Sequence, residues 1–185
     1  MSQVLVVQRS DITDYRSLSA NLNVEKKLNP FILAAQNMDL KGLIGNAFLN
    51  ALVKDFSGSP SLATYSDLFN GSEWTCSGKQ YKHHGLKSVL SLFSYARYVI
   101  DSNSESTAFG TQEKKNEYSD QIEWRKLTAM QENAEQEALA YWEDVKQFLN
   151  DNSSSYPLWY CGLVSKNTRI SAVDNIKGRK YGRHI

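Results

Sequence analysis

LKSVLSLFSYARYVI, residues 86–100, decides the fold. Leu86, Val89, Leu90, Phe93, Ala96 and Val99 follow helical steps of three and four, and Leu92, Tyr95, Tyr98 and Ile100 fill most of the remaining circumference. A helix apolar nearly all round has to be covered nearly all round, so this one is expected at the centre of a helical bundle. Arg97 is its one strong charge. Such a guanidinium needs a carboxylate partner or a route to water, and snorkelling along its own stem is the simpler expectation.

Working back towards the N-terminus, residues 72–84 read as a β-hairpin. Asn70-Gly71 and Gly85 bracket the stretch, and Ser77-Gly78 separates two short strand-compatible runs. This register sets Cys76 opposite Lys79, Thr75 opposite Gln80, Trp74 opposite Tyr81 and Glu73 opposite Lys82, a self-consistent set of cross-strand pairs. Further upstream, short helices are expected around Leu62–Phe69 and over Asn46–Phe56, the latter burying Phe48, Leu49, Leu52 and Val53. Asn29-Pro30 starts another, which should break at Gly42 to Gly45. Ser10 or Asp11 offers an N-cap for a short helix through Tyr15. The VLVV run at 4–7 suits either a short strand or an extended arm.

Towards the C-terminus, residues 101–119 are polar and lack apolar periodicity, so they read as a long exposed loop. Phe109 would be an apolar anchor within it for another surface. The longest helix is expected from Asp120 to Leu149, capped by Ser119 and about 45 Å long. Leu127, Met130, Ala134, Ala138, Tyr141, Val145 and Phe148 form its inner stripe, and Ala134 and Ala138 would admit a close neighbour. Glu132, Glu135, Glu137 and Glu143 make much of its other side acidic.

The fold class is therefore mainly α: a helical bundle with one long helix in its C-terminal half, a small β-hairpin insertion and extended terminal arms. Residues 1–155 form the body and 156–185 a basic C-terminal arm. The chain of 185 residues, 41% hydrophobic and 22% charged, is ordinary for a globular protein. Its formal net charge of +1 is unevenly spread. From Gly162 onward Lys166, Arg169, Lys177, Arg179, Lys180 and Arg183 stand against Asp174, a net +5, which leaves −4 for residues 1–161. This asymmetry points to a polyanion or an acidic protein surface as partner. Tyr181 among those cations suits nucleic acid; the preceding aromatics Tyr156, Trp159 and Tyr160 could be core, but beside a basic extension they also suit a docking hinge. No stretch approaches the roughly 18 apolar residues of a membrane span, and no secretory signal is expected. Two distant cysteines, Cys76 and Cys161, suit free thiols in a reducing compartment such as a host cytoplasm.

Catalytic signatures are missing from the sequence: there is no GxSxG, P-loop, dinucleotide fingerprint, HExxH or DxDxDG loop. The densest group of metal-type ligands is Cys76, His83 and His84. The hairpin register separates Cys76 from His83 by roughly 13 Å and turns His84 to the other face. No enzyme activity, cofactor or metal is expected.

RSDITDYRSLSANLNVEKKLNPFILAAQNMDLKGLIG, HHGLKSVLSLFSYARYV, TAFGTQEKKNEYS, EQEALAYWEDVKQFLN and YPLWYC together cover most of residues 8–161. In overall pattern they resemble a family of small proteins of tailed phages that infect Bacteroides-type hosts, including the crAss-like phages. The order of helices also resembles head–tail connector adaptors. The resemblance implies a structural virion protein of the neck, a homo-oligomeric ring of twelve subunits that joins the portal to the adjoining tail ring and lines the DNA channel. Its C-terminal arm would reach the portal. The alternative is a DNA-binding phage accessory protein that uses the basic arm.

Overall fold

The computed structural model describes residues 4–56, 63–102, 104–107, 110–113 and 123–159. Residues 4–7 pair with no strand among the described residues and are tied down by a side chain. The Gln36 carboxamide accepts from the Val6 N–H at 3.2 Å and donates to the Val4 carbonyl at 3.1 Å, imitating one rung of a β ladder. Val6 and Val7 are buried beneath it. Helix α1 (Arg9–Thr13) opens with a reciprocal cap in which the Gln8 N–H donates to Asp11 Oδ2 at 2.7 Å. Helix α2 (Val24–Lys27) is capped by Asn23, whose side chain accepts from the Lys26 N–H.

Helix α3 (Asn29–Ala34), with Pro30 in its first turn, runs through a π turn at Ala35–Leu40 into α4 (Lys41–Ile44). The break expected over Gly42 to Gly45 falls at Gly45: the helix runs past Gly42, where the space is open, and stops at Gly45, whose φ of 84° is available only to glycine at low cost. Helix α5 (Asn46–Asp55) buries Phe48, Leu49 and Leu52, and α6 (Ala63–Asn70) follows.

Strands β1 (Ser72–Cys76) and β2 (Lys79–His83) pair antiparallel in the register expected from the sequence, from Glu73 opposite Lys82 to Cys76 opposite Lys79. Ser77 and Gly78, at φ 50° and 76°, make the two-residue turn whose twist matches that of the strands. Helix α7 (Gly85–Asp101) is the centre of the molecule: α1, α3, the π turn, α6 and the long helix α8 (Trp124–Asp151) all pack against it. Leu86, Val89, Leu90, Leu92 and Ala96 are buried accordingly. Ala134 and Ala138 of α8 are fully buried, and the small side chains let α8 lie close along α7.

The structure departs from two expectations. Residues within 101–119 are not all loop, because β3 (Ser104–Thr107) pairs antiparallel with β4 (Gly110–Glu113), closing with Thr107 opposite Gly110. The strand residues are polar, so the apolar alternation that marks a half-buried strand never arises, and the ladder of backbone bonds is what defines the ribbon. Arg97 does not snorkel. Its Nε donates to Asp39 Oδ2 at 2.6 Å and its Nη2 to Asp39 Oδ1 at 2.8 Å, a bidentate pair between α7 and the π turn. Asp39 holds the Arg97 proton still more firmly than usual, and burial opposes this more weakly.

Lengths explain the role of the first hairpin. At 1.5 Å per residue α8 spans about 42 Å and α7 about 25 Å. The His84 ring, at the start of α7, lies 4.7 Å from that of Tyr141, so the last turns of α8 run on past α7. Hairpin β1–β2 and the residues after α8 cover that overhang: Trp74 and His83 pack on Phe148, and so does Tyr156.

Candidate functional site

The sequence singles out the C-terminal region as the partner-binding part, and the structure divides that region. Tyr156 and Trp159 are 3% and 2% exposed. They therefore do not offer a docking surface, and the body extends through Trp159 instead of ending at residue 155. Aromatic rings following a helix end bury wherever the helix leaves an apolar overhang, and here it does. Tyr156 lies against Phe48 and Phe148, and burial raises the pKa of its phenol, with Asp67 and Tyr65 adding to the effect. Phe109, Tyr160, Lys166, Arg169, Lys177, Arg179, Lys180, Tyr181 and Arg183 lie outside the described residues.

Two indole donors grip neighbouring residues in the last turn of α8. Trp159 Nε1 donates to Asn150 Oδ1 at 2.8 Å, and Trp74 Nε1 donates to Asp151 Oδ2 at 2.9 Å. One bond brings in the hairpin and the other the chain that leads to the basic segment. Trp159 also meets Trp142 edge to face, with centroids 5.8 Å apart. Both aromatic N–H groups are thus satisfied as they become buried.

His83 completes this region and is buried. Its ring stacks on Phe148 at 4.2 Å and meets Trp74 edge to face at 5.7 Å. The Gly85 N–H donates to Nδ1 at 3.2 Å, so Nε2 carries the proton and faces Ser72 Oγ at 3.0 Å. Burial lowers its pKa to about 4. The Asp67 carboxylate works in the opposite direction, and His84 adds to the depression. Sequence reasoning missed this burial because the covering ring, Phe148, is 65 positions away; the only local signal was the pair of glycines flanking the hairpin.

Among the described residues, no three His, Cys, Asp or Glu side chains are grouped to hold a metal ion, and Cys76 stays a half-buried free thiol near the hairpin turn. No helix among them is long and apolar enough to cross a membrane. A shallow groove of about 700 Å³ runs between α2, α3 and the end of α7, with Lys26 on its rim and the edge-to-face pair Phe31 and Tyr98 in its wall.

These features define a mainly helical protein whose aromatic node joins a hairpin to the end of its longest helix. Residues 40–169 match a family of unknown function, DUF6712, and the chain belongs to that family. The matched stretch takes in α4 to α8 and both hairpins. No curated protein and no solved structure matches the chain.

Proposed function

We propose that this protein is a ring-forming subunit of a virion neck, a head–tail connector that joins the portal to the adjoining tail ring and surrounds the DNA channel. The observation that carries the reading is the division of charge about a fixed point. Trp159 is pinned to α8, and the chain beyond it carries six cations against one carboxylate from Gly162 onward, while residues 1–161 carry a net −4. An anchored exit point followed by a cationic segment suits a subunit that reaches across to a neighbour, since a closed ring needs two different faces on each copy. The resemblance of the sequence to small proteins of crAss-like tailed phages, and of its helix order to head–tail connector adaptors, whose rings commonly hold twelve copies, supports the same reading.

The test is reconstitution with the portal of the same virion, imaged by electron microscopy. The full chain should add a ring beneath the portal. Deleting residues 160–185 should abolish docking while leaving the helical circular dichroism intact. A full chain that never associates with portal or with itself would overturn the proposal.

The same charge division favours one rival, a DNA-binding accessory protein using the basic segment. That rival requires affinity of the isolated chain for DNA that falls steeply with salt and disappears with the deletion.

A further inference from the structure

We propose that His83 is an acid-operated latch, which while neutral holds hairpin β1–β2 and the residues after α8 on the end of that helix, and on protonation releases them. The device needs only the folded chain and holds whether or not copies form a ring.

The geometry makes the neutral imidazole a structural part. Its Nδ1 receives the Gly85 N–H, one of the donors at the start of α7 that has no carbonyl partner inside the helix. A proton added to Nδ1 would point at that N–H, turning an acceptor into a second donor. The same proton would place a positive charge at the positive end of a 17-residue helix dipole. It would also place it on a ring 1% exposed and stacked on Phe148, where water cannot reach it.

Asp67 of α6 favours the imidazolium, whereas His84, next in the chain, opposes it. Strand β1 presents Ser72 and Trp74, both uncharged. Helix α8 presents the Phe148 ring, and its Asp151 carboxylate is engaged by Trp74. Tyr156 shares Phe148 with His83 and is a neutral phenol at all relevant pH. One carboxylate against burial, a helix N-terminus and a lost acceptor leaves the neutral form favoured, in keeping with the depressed pKa.

Opening has a defined path. The hairpin base is the crossing of Gly71 and Gly85, and its body is held on α8 by Trp74, Tyr81 stacking on Trp74, and His83. Losing the His83 contacts leaves the ribbon held on α8 through Trp74, and a two-stranded ribbon is marginal by itself. Because Tyr156 rests on the same Phe148 ring, the chain leading to Trp159 loosens with it.

The experiment uses the full chain. The ¹⁵N imidazole signals are followed from about pH 7 to about pH 4, together with amide hydrogen exchange of β1 and β2 normalised to the Ala134 and Ala138 amides. The expected result is that the His83 ring stays the Nε2–H tautomer well below an ordinary histidine midpoint, and that hairpin protection falls at least about tenfold as the ring protonates. In His83→Asn, whose carboxamide oxygen stands near the place of Nδ1 and can still accept from Gly85 but cannot titrate, this fall should vanish. Titration of the wild-type His83 ring near 6.5 with hairpin protection unchanged would overturn the latch. So would an undiminished fall in the Asn variant.

Discussion

Gly71 and Gly85 cross so closely that a Cβ on Gly85 would lie 2.5 Å from the Gly71 nitrogen and 2.3 Å from the Phe69 carbonyl oxygen. Both have positive φ, 96° and 80°, and a Cβ on Gly71 would strike the His83 carbonyl oxygen at 2.6 Å. The crossing brings the end of α6, the base of the hairpin and the start of α7 into close backbone approach.

Alanine at either position therefore meets backbone, which cannot step aside. Gly85→Ala and Gly71→Ala should each destabilise by more than about 3 kcal/mol in urea unfolding. Two other glycines calibrate the effect. Gly78→Ala, at φ 76° but in open space, should cost only about 1 kcal/mol. Gly42→Ala, inside a helix with nothing within 4 Å, should stabilise by about 0.5 to 1 kcal/mol. Equal costs at Gly78 and Gly85 would refute the tight crossing.

The bidentate pair of Arg97 with Asp39 ties α7 to the π turn. A double-mutant cycle with Arg97→Met and Asp39→Asn should return a coupling of about 1 to 2 kcal/mol, since neither side chain is fully exposed. Arg97→Lys should recover less than half of it, because an ammonium cannot span both carboxylate oxygens. A coupling near zero would mean the pair is solvent-screened.

Trp74 and Trp159 should contribute to the stability of the body in two separable parts. Replacing either by Phe removes the N–H bond to Asp151 or Asn150 and should cost about 1 to 2 kcal/mol. Trp159→Ala also empties the space against Trp142 and should cost about 3 to 5 kcal/mol. A Trp159→Ala protein as stable as wild type, measured by thermal or urea unfolding, would place that ring outside the core.

Acid should weaken the fold through His83. In the unfolded chain its imidazole takes up a proton near pH 6.5, whereas in the fold it does so only near 4. Between those values the unfolded state binds more protons, so stability falls as pH falls, by up to about 3 kcal/mol for this group. Above pH 6.5 the contribution is fully present and flat. The slope of urea midpoint against pH should be steeper in wild type than in His83→Asn across that window.

The sequence yielded most where a pattern was local. The register of β1 with β2 followed from Ser77-Gly78 and the flanking runs, and the central place of α7 followed from its apolar circumference. Helix α8 was legible down to the close approach at Ala134 and Ala138, its start differing because Glu123 and not Ser119 precedes the first turn. What escaped was set by distant contacts. Arg97 finds Asp39 across 58 positions, and Trp74 finds Asp151 across 77. For Tyr156 and Trp159 the sequence left core and docking hinge both open, because nothing nearby shows that α8 overruns α7. Ribbon β3–β4 was hidden by its polar composition. Of the candidate site, the two residues the structure describes are in the core, and the cationic ones lie outside the described residues.

The placing of α7 also has a consequence for biosynthesis. Its covering partner α8 begins at Trp124, after α7 ends at Asp101, and is 28 residues long. At about 5 to 20 residues per second, a ribosome spends a few seconds making α8 while α7 has one flank bare. During that interval the nascent chain carries an uncovered greasy helix, the kind of segment that general chaperones grip. Its yield in a host cell should therefore depend on them more than the modest size of the finished molecule suggests.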